Sequence, residues 1–169
     1  HDGSLAEQRL PLALTPPGNT QPYLFWLGGS WALVWQSWEG STIFLGRFSA
    51  SGDVLLPATP LTPPAAYSSR NQYTAAFGGD RIAVAWVENL GPNPPGQDIH
   101  YTIVGLDGGI LSPAAVAASS VFSESMPRLL WRGGTFHLLY AGEVSGIHEI
   151  EIDPSGALIG TPRAWTNRG

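Results

Sequence analysis

Three Gly-Gly pairs, Gly28-Gly29, Gly78-Gly79 and Gly133-Gly134, constrain this chain more than any other feature, because each sits at the same place in a repeated pattern. Before the pairs run YLFWL, YTAAF and RLLWR. After them come WALVW, RIAVAW and FHLLY, each closed by a large aromatic residue at Trp35, Trp86 or Tyr140. A third run in each unit carries Ile43, Ile99 or Ile147 nine residues before a turn glycine, Gly52, Gly108 or Gly156. The turns FSASGD, LDGGI and DPSGA have the chemistry of short hairpin loops in which glycine adopts a positive φ. Apolar, β-branched and aromatic runs of this length, punctuated by Gly, Ser and Pro, predict antiparallel strands.

The fourth runs, VLLPATPLT, ILSPAAVAAS and ALIGTPRAWT, each contain proline. Proline cannot donate to a strand ladder, so these are predicted edge strands. A four-stranded antiparallel unit with a free outer edge, recurring at a period of about 50 residues, is the propeller blade. The predicted fold is all-β: a β-propeller-type array of three four-stranded blades over 21–69, 70–124 and 125–169. A stray fourth strand is predicted in 1–20, where His1-Asp2-Gly3 precedes SLAEQRLPLALT. The competing architecture is a β-sandwich. Because propellers usually close with four to eight blades, three imply a segment or subunit of a larger ring, completed by further chain, a partner or self-association.

Composition excludes several function classes. The formal net charge is −5 and the eight basic residues, all Arg, form no run, which argues against nucleic-acid binding through phosphates. Without cysteine there is no disulfide, thiolate metal site or thiol nucleophile. No apolar stretch reaches the roughly eighteen residues of a membrane-crossing helix. With 21 Gly and 15 Pro the chain is rich in turns.

The pattern of Gly-Gly, an aromatic-closed strand, an Ile-containing strand, a turn glycine and a Thr- or Ser-terminated strand resembles the β-propeller repeats of bacterial secreted and surface proteins. The WD dipeptide, the kelch signature and the S-x-D-x-G-x-T-W box are absent. The resemblance implies a rigid, extracytoplasmic recognition scaffold.

Candidate contact residues lie where second strands hand over to third strands. The predicted loops QSWEGS, VENLGPNPPGQ and AGEVSG each carry one carboxylate, Glu39, Glu88 and Glu143. Trp38 offers a ring for stacking, Asn89 opens a stiff loop with three prolines, and Trp165 is placed at an interface of the last blade. Trp26, Trp35, Trp86 and Trp131 recur at equivalent positions and are predicted to pack between blades. His100 and His148 follow equivalent isoleucines, one blade apart, too far to share an ion. No metal or other cofactor is predicted. Neither a G-x-S-x-G, an H-E-x-x-H nor a phosphate loop is present, so no catalytic residue is assigned. The predicted function is a non-catalytic recognition or structural module that engages protein partners. A carbohydrate-binding propeller is the first alternative, although Trp38 has no aromatic counterpart in the other two loops. The second is part of a propeller enzyme whose catalytic groups lie outside this chain.

Overall fold

A computed structural model describes residues 21–37, 41–63, 72–89, 91, 96–119, 123–142 and 146–165. It contains twelve strands among these residues and no helix, so none is long and apolar enough to cross a membrane. The predicted stray strand in 1–20 lies outside the described residues.

Strands β1 (Tyr23–Trp26), β2 (Ser30–Gln36), β3 (Ile43–Ser49) and β4 (Val54–Pro60) form one sheet in sequential order. The second sheet holds β5 (Tyr73–Gly78), β6 (Arg81–Asn89), β7 (Gln97–Gly105) and β8 (Ile110–Ala118). The third holds β9 (Glu124–Arg132), β10 (Thr135–Gly142), β11 (Gly146–Ile152) and β12 (Leu158–Trp165). All neighbouring pairs are antiparallel, and the proline-bearing β4, β8 and β12 are outer edges whose pairing with β3, β7 and β11 is interrupted by register shifts. The architecture is all-β and propeller-type: three meander sheets packed face to face in succession, called here blades 1, 2 and 3. A sandwich would have paired the strands into two sheets.

Strand alternation explains how one blade serves two neighbours. Successive side chains point to opposite faces, and the inner strands β6 and β7 of blade 2 supply apolar side chains to both. Ala32, Val34, Ile43 and Leu45 of blade 1 meet Tyr73, Ile82, Val84 and Trp86 of blade 2 in one core layer. The opposite face of blade 2 supplies Ala83, Ala85, Ile99, Tyr101 and Ile103 to a second layer, against Phe136, Leu138, Tyr140, Ile150 and Ile152 of blade 3. Each blade therefore has an incoming face, turned toward the blade before it, and an outgoing face, turned toward the blade after it.

The aromatic residues that close the second strands define the incoming faces. Trp35 is paired across the ladder with Phe44, Trp86 with His100, and Tyr140 with His148. Ring stacking accompanies the first and last pairs, at centroid distances of 5.7 and 5.2 Å. His100 and His148 thus occupy equivalent packing positions against an aromatic ring.

The Gly-Gly pairs do not play one role. Gly133 and Gly134 form the β9–β10 turn with φ of 62° and 92°, which side chains resist. In blade 2 the turn moves on by one residue, to Gly79-Asp80, and Gly78 is the last residue of β5, paired with Arg81. A Cβ at Gly78 would overlap the ring of Trp131 from blade 3, so this glycine serves packing between blades. A second contact recurs beside it. The β7–β8 turn seats Gly108 against Leu56 and Thr59 of blade 1, and the β11–β12 turn seats Gly156 against Ser112 of blade 2. Arg47 donates to the Leu106 carbonyl at 3.3 Å, while Arg81 and Tyr101 donate to the Pro154 and Gly156 carbonyls at 2.7 and 2.6 Å.

Candidate functional site: the polar end and the outer blade faces

Buried polar side chains concentrate at one end of the array, where second strands end and third strands begin. Gln36, Ser37, Thr42 and Thr62 of blade 1, Asp98 of blade 2 and Glu124 of blade 3 are all buried there. At this end Thr62 Oγ1 accepts from the Ile43 amide at 3.0 Å. An open pocket of about 470 Å³ beside it is lined by Thr42, Phe44, Pro60, Leu61, Thr62 and Pro63. Asp98 and Glu124 are 7% and 5% exposed, and one carboxylate oxygen of each has no hydrogen-bond partner among the described residues. Burying a carboxylate oxygen without a donor is costly. Burial, and next the charge of Glu124, push the Tyr140 hydroxyl above its ordinary pKa.

The first strands are also tied together near this end. Tyr23 donates to the Tyr73 carbonyl at 3.1 Å and Tyr73 to the Gln21 carbonyl at 2.7 Å, with the two rings edge to face. Burial, with the neighbouring Tyr23, raises the Tyr73 hydroxyl pKa far above normal. Between blades 2 and 3, Gln72 accepts from the Met126 amide, and Thr74 from the Leu129 amide at 3.2 Å.

Of the sequence-predicted contact residues, Trp38, Glu39 and Glu143 lie outside the described residues. Glu88 and Asn89 are not loop residues: β6 continues three residues past Trp86, because Glu88 pairs with Asp98 and Asn89 with Gln97 across the ladder. Glu88 accepts from Trp86 Nε1 at 2.8 Å, and Asn89 from Gln97 Nε2 at 2.8 Å. Trp165 closes β12 of blade 3, pairs with Ile147 near the start of β11, and stands half exposed.

Trp165 belongs to a network that the sequence did not single out. Glu149 Oε2 accepts from Trp165 Nε1 at 3.0 Å, and Glu149 Oε1 meets His137 Nδ1 at 2.7 Å. His137 Nε2 lies 3.2 Å from Thr135 Oγ1, and the Arg163 guanidinium sits 4.9 Å from the Trp165 ring centre. The His137 hydrogen bond, foremost among several causes, holds the Glu149 carboxyl below its ordinary range. Glu149 shares one face of β11 with Glu151 and is locked in this network. His137 and Glu149 share the outgoing face of blade 3, since cross-strand partners Leu139 and Glu149 lie on one side with His137. Their equivalents, counted from Trp35, Trp86 and Tyr140 and from the repeated isoleucines, are Ala32 and Leu45 in blade 1 and Ala83 and Tyr101 in blade 2. All four of those are buried between blades. The signal available in sequence was this break in a threefold pattern.

The incoming face of blade 1 has the opposite character. Leu33, Trp35 and Phe48 form its apolar centre with Phe44 and Ala58 against them. Trp35 is 1% exposed, whereas Leu24, Trp26 and Val54 at the margin are 53%, 49% and 62% exposed. Trp26 was expected to pack between blades. It instead packs at a tilt against its own cross-strand partner Trp31, at 4.7 Å between centroids, because it lies on the face of blade 1 turned away from blade 2.

Among the described residues no group of three or more His, Asp or Glu side chains is arranged to hold a metal ion. No family model matches the chain, and no curated protein matches it. Among solved structures, that of an α-L-arabinofuranosidase from Lactobacillus brevis is similar with a TM-score of 0.49 and 13% identity, over 87% of this chain and 57% of that one. The chain spans a little over half the length of that protein.

Proposed function

We propose that this chain is a non-catalytic recognition and structural module, a segment or subunit of a larger propeller, which engages a protein partner through an outer blade face. The observation that carries this reading is the incoming face of blade 1. Its Trp35–Phe44 pair stands where Trp86–His100 and Tyr140–His148 stand on the faces by which blades 2 and 3 are packed. An exposed apolar margin of Leu24, Trp26 and Val54 is the kind of surface that marks a protein contact. An extracytoplasmic setting follows from the resemblance to secreted propeller repeats.

Native mass tests this reading. Light scattering, combined with intact mass spectrometry of every chain in the particle isolated from its source, is expected to find either several copies or a companion chain. A solitary 18.0 kDa particle at all concentrations would overturn it.

A second reading, a share in a propeller enzyme, is favoured by Asp98 and Glu124, because buried carboxylates at one end of a fold are groups that glycoside hydrolysis employs. Hydrolysis of aryl glycosides by the intact particle, lost in D98N and E124Q, would select it over the first.

A further inference from the structure

We propose that the outgoing face of blade 3 is a docking surface for an acidic protein, held by three arginines set among exposed apolar side chains. This rests on the recognition reading above and deepens it, by assigning a second surface and the charge of its partner.

The arginines carry the inference. The chain has eight, against thirteen carboxylates and a formal net charge of −5. Among the described residues, Arg47 and Arg81 are engaged between blades, donating to the Leu106 and Pro154 carbonyls. The other three, Arg128, Arg132 and Arg163, are all exposed. They also share one face. Arg128, Leu139, Glu149 and Arg163 form a single row across the four strands, and Arg132 is paired with Thr135 on the side of His137. Against them stand Glu149 and Glu151, which leaves this face a formal excess of one positive charge in an acidic chain. The ion pairs among the described residues join Arg81 to Asp80 and His137 to Glu149, so none of these three arginines is in one. Arg128 donates to the adjacent Pro127 carbonyl, and Arg163 lies over the Trp165 ring. On the Glu149 carboxyl, His137 acts foremost and the charge of Arg163 least.

The rest of the face says what kind of anion fits. Leu130, Ile147, Ile159 and Trp165 share it and are 41%, 52%, 45% and 51% exposed. Apolar side chains beside Trp and Arg are the make-up of protein contacts, where those two types carry much of the binding energy. A polysaccharide would set its hydroxyl groups against three aliphatic side chains that offer them no partner. Glu149 is already bonded by His137 and Trp165, so covering it does not strand its charge. At the backbone, strand spacing and rise put Arg128 roughly 14 Å from Arg163 and roughly 13 Å from Arg132. The matching surface therefore carries carboxylates at similar separations around an apolar centre, and complementary charge steers the encounter.

A labelled random copolymer of glutamate and tyrosine serves as the probe, with poly-glutamate and polygalacturonate beside it, and binding is read as fluorescence anisotropy. The copolymer is expected to bind at least about threefold more tightly than either comparison. R128S/R132S/R163S should weaken it at least about tenfold, and L130S about threefold for the copolymer but not for poly-glutamate. S51E/L55E in blade 1, which also makes the chain more acidic, should leave it within about twofold. No binding by the wild-type chain would overturn the proposal, as would unchanged binding by the triple variant with native circular dichroism. An equal loss in S51E/L55E would reduce the effect to bulk charge, and tighter binding of polygalacturonate would make this a polysaccharide site; either result sinks it. If the triple variant does not fold, R132S/R163S carries the same expectation. Native mass tests the recognition reading separately: a companion chain whose binding ignores the arginines would defeat this proposal alone.

Discussion

Blade 1 and blade 3 are built on the same register yet end the array in opposite ways. The outer face of blade 1 is aromatic, with Trp35 stacked on Phe44 and Trp26 tilted against Trp31. The outer face of blade 3 holds His137, Glu149 and Trp165 in a closed set of hydrogen bonds. Equivalent positions in one repeat normally share an environment, so a change from Ala and Leu to His and Glu marks a change of environment. The outer face of blade 3 combines this polar centre with exposed Leu130, Ile147, Ile159 and Trp165, so it is mixed. The difference is one of centres: aromatic and apolar on blade 1, hydrogen-bonded and ionisable on blade 3.

Four substitutions break or sharpen this comparison. The largest effect is expected at an aromatic residue already enclosed between blades. Trp86→Ala should cost about 3 to 5 kcal/mol in urea unfolding; a loss below about 1 kcal/mol would mean that the blade 1–blade 2 layer does not hold the array. Next comes Gly78→Ala, where the added methyl must displace Trp131, at about 1 to 3 kcal/mol. Unchanged stability there would mean that the close approach of Trp131 to Gly78 does not hold blades 2 and 3 together.

A smaller effect is expected at the polar end of the array. Glu149→Gln keeps the shape and removes the charge, for about 0.5 to 1.5 kcal/mol near neutral pH. Because the folded-state carboxyl lies below its ordinary value, the Glu149 contribution is present above the unfolded-state pKa and is lost as pH falls through the folded one. The variant's stability should therefore vary less than that of the wild-type chain between roughly pH 5 and pH 3, and parallel curves would show that the pair contributes nothing. Smallest of all, Trp26→Ala should cost under about 1 kcal/mol, the worth of one aromatic pair at an open margin. A cost like that of Trp86→Ala would mean Trp26 is enclosed, and the two outer faces would then not differ as described.

Much of the fold was legible because strand pattern and turn chemistry are local. The isoleucines, the closing aromatic residues and the edge prolines marked all twelve strands, and the equivalence of His100 and His148 followed from their place after the repeated isoleucines. What failed depended on a neighbour. Gly78 looked like a turn residue because Gly78-Gly79 matches the other pairs, and only Trp131 of the next blade reveals its use. Glu88 and Asn89 looked like loop because charged and amide residues suit turns, yet cross-strand pairing with Asp98 and Gln97 extends β6 past them. Trp26 shares a register with Trp131, but a first blade has no predecessor among the described residues to cover it. His137 and Glu149 stand twelve positions apart in sequence. Only the pairing of β10 with β11 brings them onto one face, and only comparison with Ala83 and Tyr101 makes them conspicuous.

The turns that reach back from blade 2 to blade 1 and from blade 3 to blade 2 have a mechanical consequence. Gly108 presses on Leu56 and Thr59, and Gly156 on Ser112, so each unit is latched by the hairpin tip of its successor. Cohesion then resides in two junctions that meet at a single member, and nearest-neighbour coupling of this type lets either flank peel away independently. The middle sheet is gripped from both sides and is the last to let go. Pulling the chain from its two ends would read out as two rips followed by a third, each the release of one latch or of the core it guards.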